Sequence, residues 1–93
     1  MRYSFFNSQI FWKPVNILVR KLARTTTEDS LRDIFLKFGE VESCDLVLDS
    51  VTGKSKGFGF VVMPNEAEAM AAINKLNLSM LDNHAIRVKI ADS

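Results

Sequence analysis

Apolar and polar positions between Asn16 and Ile90 repeat with two different periods. Over Asn16 to Leu22 the period is two: Ile17, Val19 and Leu22 face one way, Leu18 and Arg20 the other, which predicts a strand. Thr25-Thr26-Thr27-Glu28-Asp29 then offers a hydroxyl cap and first-turn acids for a helix. Leu31, Ile34, Phe35 and Phe38 follow at i, i+3, i+4 and i+7, a single apolar stripe that Gly39 ends. Val41 to Leu48 returns to the period of two, with Cys44, Leu46 and Leu48 inward and Asp45 and Val47 outward. Thr52-Gly53 turns the chain, and Gly57 to Met63 reads as a third strand stopped by Pro64. Asn65 with Glu68 three residues on spells a capping box. Ala69, Ala72, Ile73 and Leu76 form a second helical stripe, whose alanines suit close packing on a sheet. Asn77 to His84 is a turn-rich connection, and Ala85 to Ile90 a last strand with Ile86 and Val88 in, Arg87 and Lys89 out.

The order β-α-β-β-α-β predicts an α+β, ferredoxin-like domain: a four-stranded antiparallel sheet with two helices on one face. The other face is left open, so its contents decide what the domain can do. On the third strand, Val61 and Met63 suit the core and Gly59 leaves room for a helix. Phe58 and Phe60 then point away from the helices. Residues two apart on a strand stand about 7 Å apart, so the rings are expected as two parallel platforms. Single-stranded bases stack on such platforms for about 1–3 kcal/mol each. Arg20, Arg87 and Lys89 from the outer strands and Lys21, Lys54 and Lys56 from loops gather around them. Asp45 and Asp49 oppose these cations, whereas Glu28, Asp29, Asp33, Glu66 and Glu68 fall on the helices.

Composition narrows the rest. Ninety-three residues, 47% hydrophobic and 25% charged, make one small domain and exclude a disordered chain. The net charge of +1 gives no argument for a polyanionic partner; only the placement of charge does. One cysteine and one histidine allow no disulfide, no CxxC pair and no zinc site, so no metal and no cofactor are expected. The fold then rests on packing alone, which suits the reducing cytoplasm. No apolar run is long enough to span a membrane, and no membrane partner is expected. Cys44 is expected as a small core residue, His84 as an exposed turn residue and Thr25 to Thr27 as a cap. Catalysis is not expected. No Ser/His/Asp or paired-carboxylate constellation appears, and Lys21-Leu22-Ala23-Arg24-Thr25-Thr26 lacks the glycines of an acylphosphatase-type phosphate loop.

Lys56 to Met63 resembles the RNP1 octamer of the RNA recognition motif (RRM), and Ile17 to Leu22 resembles its RNP2 hexamer. The resemblance spans about Asn16 to Ala91. Ile17-Leu18-Val19-Arg20 and Ser55-Lys56-Gly57-Phe58-Gly59-Phe60-Val61 are similar to the small bacterial single-RRM proteins. It implies that Phe58 and Phe60 are stacking aromatics and Lys56 a phosphate contact. Leu18 stands where an aromatic is usual, Lys21 where Asn is common and Met63 where a core aromatic is frequent. Glycines usual near Leu78 and Asn83 are absent. Leu18 offers a base apolar contact but no π-face, so micromolar binding of low selectivity is expected.

The implied function is non-catalytic binding of single-stranded RNA, with single-stranded DNA open. Phe58, Phe60 and Leu18 would contact bases or sugars, and Lys56, Arg20, Arg87, Lys89, Lys54 and Lys21 phosphates. The alternative is a protein-interaction module using the sheet or the N-terminal arm. Relatives specialised that way usually degrade the octamer or carry an Arg-x-Phe loop, and the loop here reads Asn77-Leu78-Ser79-Met80-Leu81-Asp82-Asn83.

Residues 1–15 are set apart from the domain at 16–91. They hold Tyr3, Phe5, Phe6, Phe11 and Trp12. As an arm they are read as a loose or docked tail, as a flap over the sheet or helices, or as a dimer contact; a monomer is the first expectation. A genetic reading also stands. The related bacterial chains tend to begin near Asn16, which would make Val15 an alternative start codon.

Overall fold

A computed structural model describes residues 14–91. The aromatic residues of the arm lie outside the described residues. The elements are β1 (Val15–Arg20), α1 (Glu28–Leu36), β2 (Ser43–Leu48), β3 (Ser55–Met63), α2 (Glu66–Leu76), β4 (Met80–Leu81), β5 (His84–Ala85) and β6 (Arg87–Ile90). Four strands form one antiparallel sheet in the order β2-β3-β1-β6. This is the ferredoxin-like arrangement expected from the sequence.

Alternation along the strands builds a one-sided core. Ile17 and Val19 of β1, Val61 and Met63 of β3, Cys44 of β2 and Val88 of β6 turn toward the helices. Leu31 and Phe35 of α1 and Ala69 and Ala72 of α2 close over them. The alanines let α2 approach without leaving voids, since interiors pack close to crystal density. Gly59 also serves close approach, but chiefly toward β2: a β-carbon there would stand 2.6 Å from the Asp45 carbonyl oxygen and 3.3 Å from Leu31 Cδ2. Burial pushes the Cys44 thiol up to about 11, and its Sγ lies 3.7 Å from the Glu28 carbonyl oxygen.

Both helices begin where the sequence indicates. Thr27 caps α1, its hydroxyl accepting from the Ser30 N–H at 3.1 Å. Asn65 caps α2 in the same way, accepting from the Glu68 N–H at 3.0 Å. The reciprocal half of the capping box is not made. Glu68 instead accepts from the Glu40 N–H at 3.3 Å, tying α2 to the turn after α1.

Several boundaries differ from the periodicity. β1 stops at Arg20 rather than Leu22, because Lys21 takes a left-handed conformation, φ 62°. That turn reverses the alternation and buries Leu22 beside Ile17 and Val19. α1 ends at Leu36, before Gly39, and β2 begins at Ser43, after Val41. Leu48, expected inward, is 53% exposed. The β2–β3 register slips between Leu46 and Leu48, and a slip changes the face a side chain meets. The turn-rich connection contains a hairpin, β4–β5, whose Asp82 and Asn83 have φ 50° and 67°. Positive φ at both residues of a two-residue loop is the type I′ geometry, which Asx residues tolerate. The last strand is accordingly split into β5 and β6.

Candidate nucleic-acid interface

The open face is ordered in rows by the strand register. Phe60 of β3 lies between Asp45 of β2 and Leu18 of β1, and Leu18 faces Lys89 of β6. The neighbouring row is small and polar around Val62, with Ser43 on one side and Asn16 on the other. On the other side of the Phe60 row, Arg20 and Arg87 stand directly opposite each other on β1 and β6.

Phe60 is 39% exposed and Phe58 is half-buried. Their ring centroids are 6.2 Å apart and their planes cross at 84°. The expected parallel pair is therefore an edge-to-face pair. The positive ring edge prefers the negative ring face, so two neighbouring rings settle crossed. In this arrangement the two faces present different orientations to solvent.

Lys56, Phe58, Arg20 and Lys21 line one cleft of about 300 Å³, together with Leu22, Arg24 and Gly57. Lys54 and Lys56 line a second, of about 500 Å³, with Phe58, Arg24 and Asp49. Arg20, Arg87 and Lys89 meet in a third, of about 300 Å³, whose wall includes Asn77. All of the cations singled out in the sequence are exposed. They form two groups joined by Arg20: one at the β3 entrance, one on β6. Lys54 lines the cleft at the β3 entrance, and Arg87 and Lys89 line the one on β6.

Gly57 shapes the entrance. Its φ of 87° is one that L-residues rarely adopt. Its carbonyl accepts from the Leu22 N–H at 2.9 Å, which pins the turn after β1 to the start of β3. A β-carbon there would stand 3.5 Å from Arg24 Nε, so the Arg24 side chain lies across this glycine. Arg24 is a cation that the sequence reading does not assign to binding: Lys21, Lys54 and Lys56 adjoin the strands that place them, whereas Arg24 reaches this entrance only through the packing of its turn against β3.

Among the described residues, the ion pair within 4 Å is Arg32 with Asp29 on α1. The cations of the open face have no carboxylate within that distance among the described residues. Asp49 accepts from the Val51 and Thr52 N–H groups at 2.8 and 3.0 Å, closing the β2–β3 turn. Those two bonds hold its carboxyl below the usual value of 3.8. Glu28 is similarly engaged, its Oε2 accepting from the Leu46 N–H at the edge of β2. An open sheet face with an exposed ring at its centre and exposed guanidinium and ammonium groups around it is suited to a flat, apolar-faced polyanion.

The family model for the RNA recognition motif matches residues 17–87, and the chain belongs to that family. A curated relative, glycine-rich RNA-binding protein 1 of Mycosarcoma maydis, is 43% identical over 77 residues. The match covers 83% of this chain and 44% of that protein, so the chain spans less than half the length of its curated relative. That relative is fungal and lends no support to a bacterial resemblance. Among solved structures, RNA binding protein PG1 superposes with a TM-score of 0.81 at 35% identity, covering 83% of this chain and 93% of that one. The Sxl-lethal protein/RNA complex gives 0.78 at 33% identity, covering 83% of this chain and 47% of that chain.

Proposed function

We propose that the domain binds single-stranded RNA on its open sheet face and catalyses no reaction there. Phe60 and Phe58 offer ring faces to two nucleotides, and Leu18 adds apolar contact beside Phe60. Lys56, Arg20, Arg87 and Lys89, with Lys21 and Lys54 at the loop end, take the phosphates. The observation that carries this reading is an aromatic ring at the centre of the sheet, 39% exposed, amid cations that have no ion-pair partner among the described residues. An exposed ring on a bare sheet gives up the stabilisation of burial, and stacking with a base restores it. Family membership, the name of the curated relative and the RNA in the Sxl-lethal complex all support the same ligand class. A protein-binding sheet is less well supported, since the octamer aromatics are intact and one of them is solvent-facing.

The test is titration of the full chain with short single-stranded RNA, compared with the Phe58→Ala and Phe60→Ala variants. At about 1–3 kcal/mol for each stacked base, each change weakens binding about 5- to 150-fold. Circular dichroism should show both variants folded, because neither ring belongs to the buried core. Unchanged affinity with both rings removed would defeat the proposal.

A further inference from the structure

The clefts at the β3 entrance do not stop at the sheet. Beyond Phe58 the surface continues between the turn after β1 and the β2–β3 loop into a larger hollow of about 710 Å³. Arg24 lines this hollow and both clefts that touch Phe58. Lys54 lines the hollow and the nearer of the two. The floor is apolar: Leu46 is half-buried and Leu48 is 53% exposed, with Thr25 and Thr27 at the side.

We infer that this trough is a second nucleotide site, continuous with the sheet, in which a base rests on Leu48 and its phosphate lies between Arg24 and Lys54. The inference rests on reading the open face as an RNA site, and it extends that site by a segment outside the octamer and the hexamer.

Three observations converge. The cations are unneutralised, since Arg24 and Lys54 have no ion-pair partner among the described residues. The acid that lines the neighbouring cleft, Asp49, is turned into its own loop by the Val51 and Thr52 N–H groups. The walls are fixed beforehand. Leu22 is hydrogen-bonded to Gly57, and the Thr26 hydroxyl, buried, donates to Asp82 Oδ2 at 2.7 Å, so the loop that carries Arg24 is held on both sides. A pre-formed cationic wall loses little freedom on binding. Exposed Leu48 also gains a role, because an apolar side chain beside a phosphate-binding cation meets the two halves of a nucleotide.

The experiment compares random-sequence RNA pools of two and of eight nucleotides, binding to wild type, to the Arg24→Gln/Leu48→Ser double variant and to Phe60→Ala. The double variant should bind the eight-nucleotide pool about five- to tenfold more weakly, with a log–log salt slope shallower by about 0.7, since one phosphate contact is lost. Its affinity for the two-nucleotide pool should match wild type, because two nucleotides fill the sheet alone. Both side chains are exposed, so the fold should be unaffected. Wild-type affinity and salt slope for the eight-nucleotide pool would overturn the inference, and so would an equal loss for both pools. If Phe60→Ala still weakens binding in either case, the sheet site stands and only the trough fails. If Phe60→Ala has no effect as well, the underlying reading fails.

Discussion

Arg20 and Arg87 are directly opposed across β1 and β6, and replacing Arg87 by Gln should stabilise the free domain while weakening its hold on RNA. Opposed residues on neighbouring strands have β-carbons about 4.5–5.5 Å apart. Two unit charges at about 5.5 Å in water repel by about 0.8 kcal/mol. Side chains as long as arginine can splay, so the recoverable part is about 0.2–0.8 kcal/mol, within the usual range for like charges across a strand pair. For a domain of this size about 1 kcal/mol corresponds to roughly 4–8 °C in Tm. Arg87→Gln should therefore raise Tm by about 1–5 °C at low ionic strength. The gain should vanish near 1 M salt, where the Debye length is about 3 Å. The same variant should bind short RNA more weakly, with a salt slope reduced by about one. Thermal unfolding by circular dichroism at low and high salt measures the first effect, and RNA titration the second. A fall in Tm at low salt would refute the reasoning, because the arginine stem would then be supplying packing that outweighs the repulsion. A rise that salt does not diminish would refute it too, since the cause would not be charge.

Two further outcomes concern the loops. Leu78 has φ 70°, is 58% exposed, and donates its N–H to the Ile86 carbonyl at 2.7 Å. A left-handed L-residue costs about 1–2 kcal/mol, and a glycine loses about 0.5–1 kcal/mol more conformational freedom on folding. Leu78→Gly should thus stabilise by about 0.5–1 kcal/mol in urea unfolding, and a loss of stability would show that the leucine side chain packs instead. Asp49 has its carboxyl depressed by two backbone N–H bonds. Its contribution to the β2–β3 turn is therefore complete above 3.8, the usual value, and is lost only as pH falls further through the folded value. NMR of the Val51 and Thr52 amides should show the turn intact at that pH and opening below it, whereas an Asp49 midpoint above the usual value would contradict the hydrogen bonds.

Much of this was legible from the amino-acid order, and the illegible parts have physical causes. Ile17, Val19, Val61 and Met63 announce one face by alternation, because only that face meets the helices. Phe58 and Phe60 fall on the other face by the same parity. The left-handed turns at Lys21 and Leu78 leave no trace in composition, since neither residue type favours that conformation. Glycines usual near Leu78 and Asn83 were noted as missing, and both of these residues carry the positive φ that glycine would relieve. Asn77 to His84 reads as turn-rich, but the hairpin at Asp82-Asn83 does not show in it, because the strands flanking that turn are two residues each and too short to show a period. Leu48 was misplaced because a register slip is set by two strands together. The crossed rings escaped for a related reason: a strand's repeat sets where side chains leave the backbone, not the angle between their planes. Arg24 belongs to a loop, and its position across Gly57 depends on contacts with β3 that no local pattern encodes.

The central claim is that unpaired nucleotides lie on the rings of Phe58 and Phe60. NMR of the full chain with short random RNA tests it most directly, through intermolecular contacts from the two rings and shift changes across Leu18, Asp45 and Lys89. The account predicts ring-to-base contacts with Phe60 and Phe58 and perturbation confined to the open face and the clefts beside it. Perturbation confined to the helical face or to the N-terminal segment, with both rings unmoved, would contradict it.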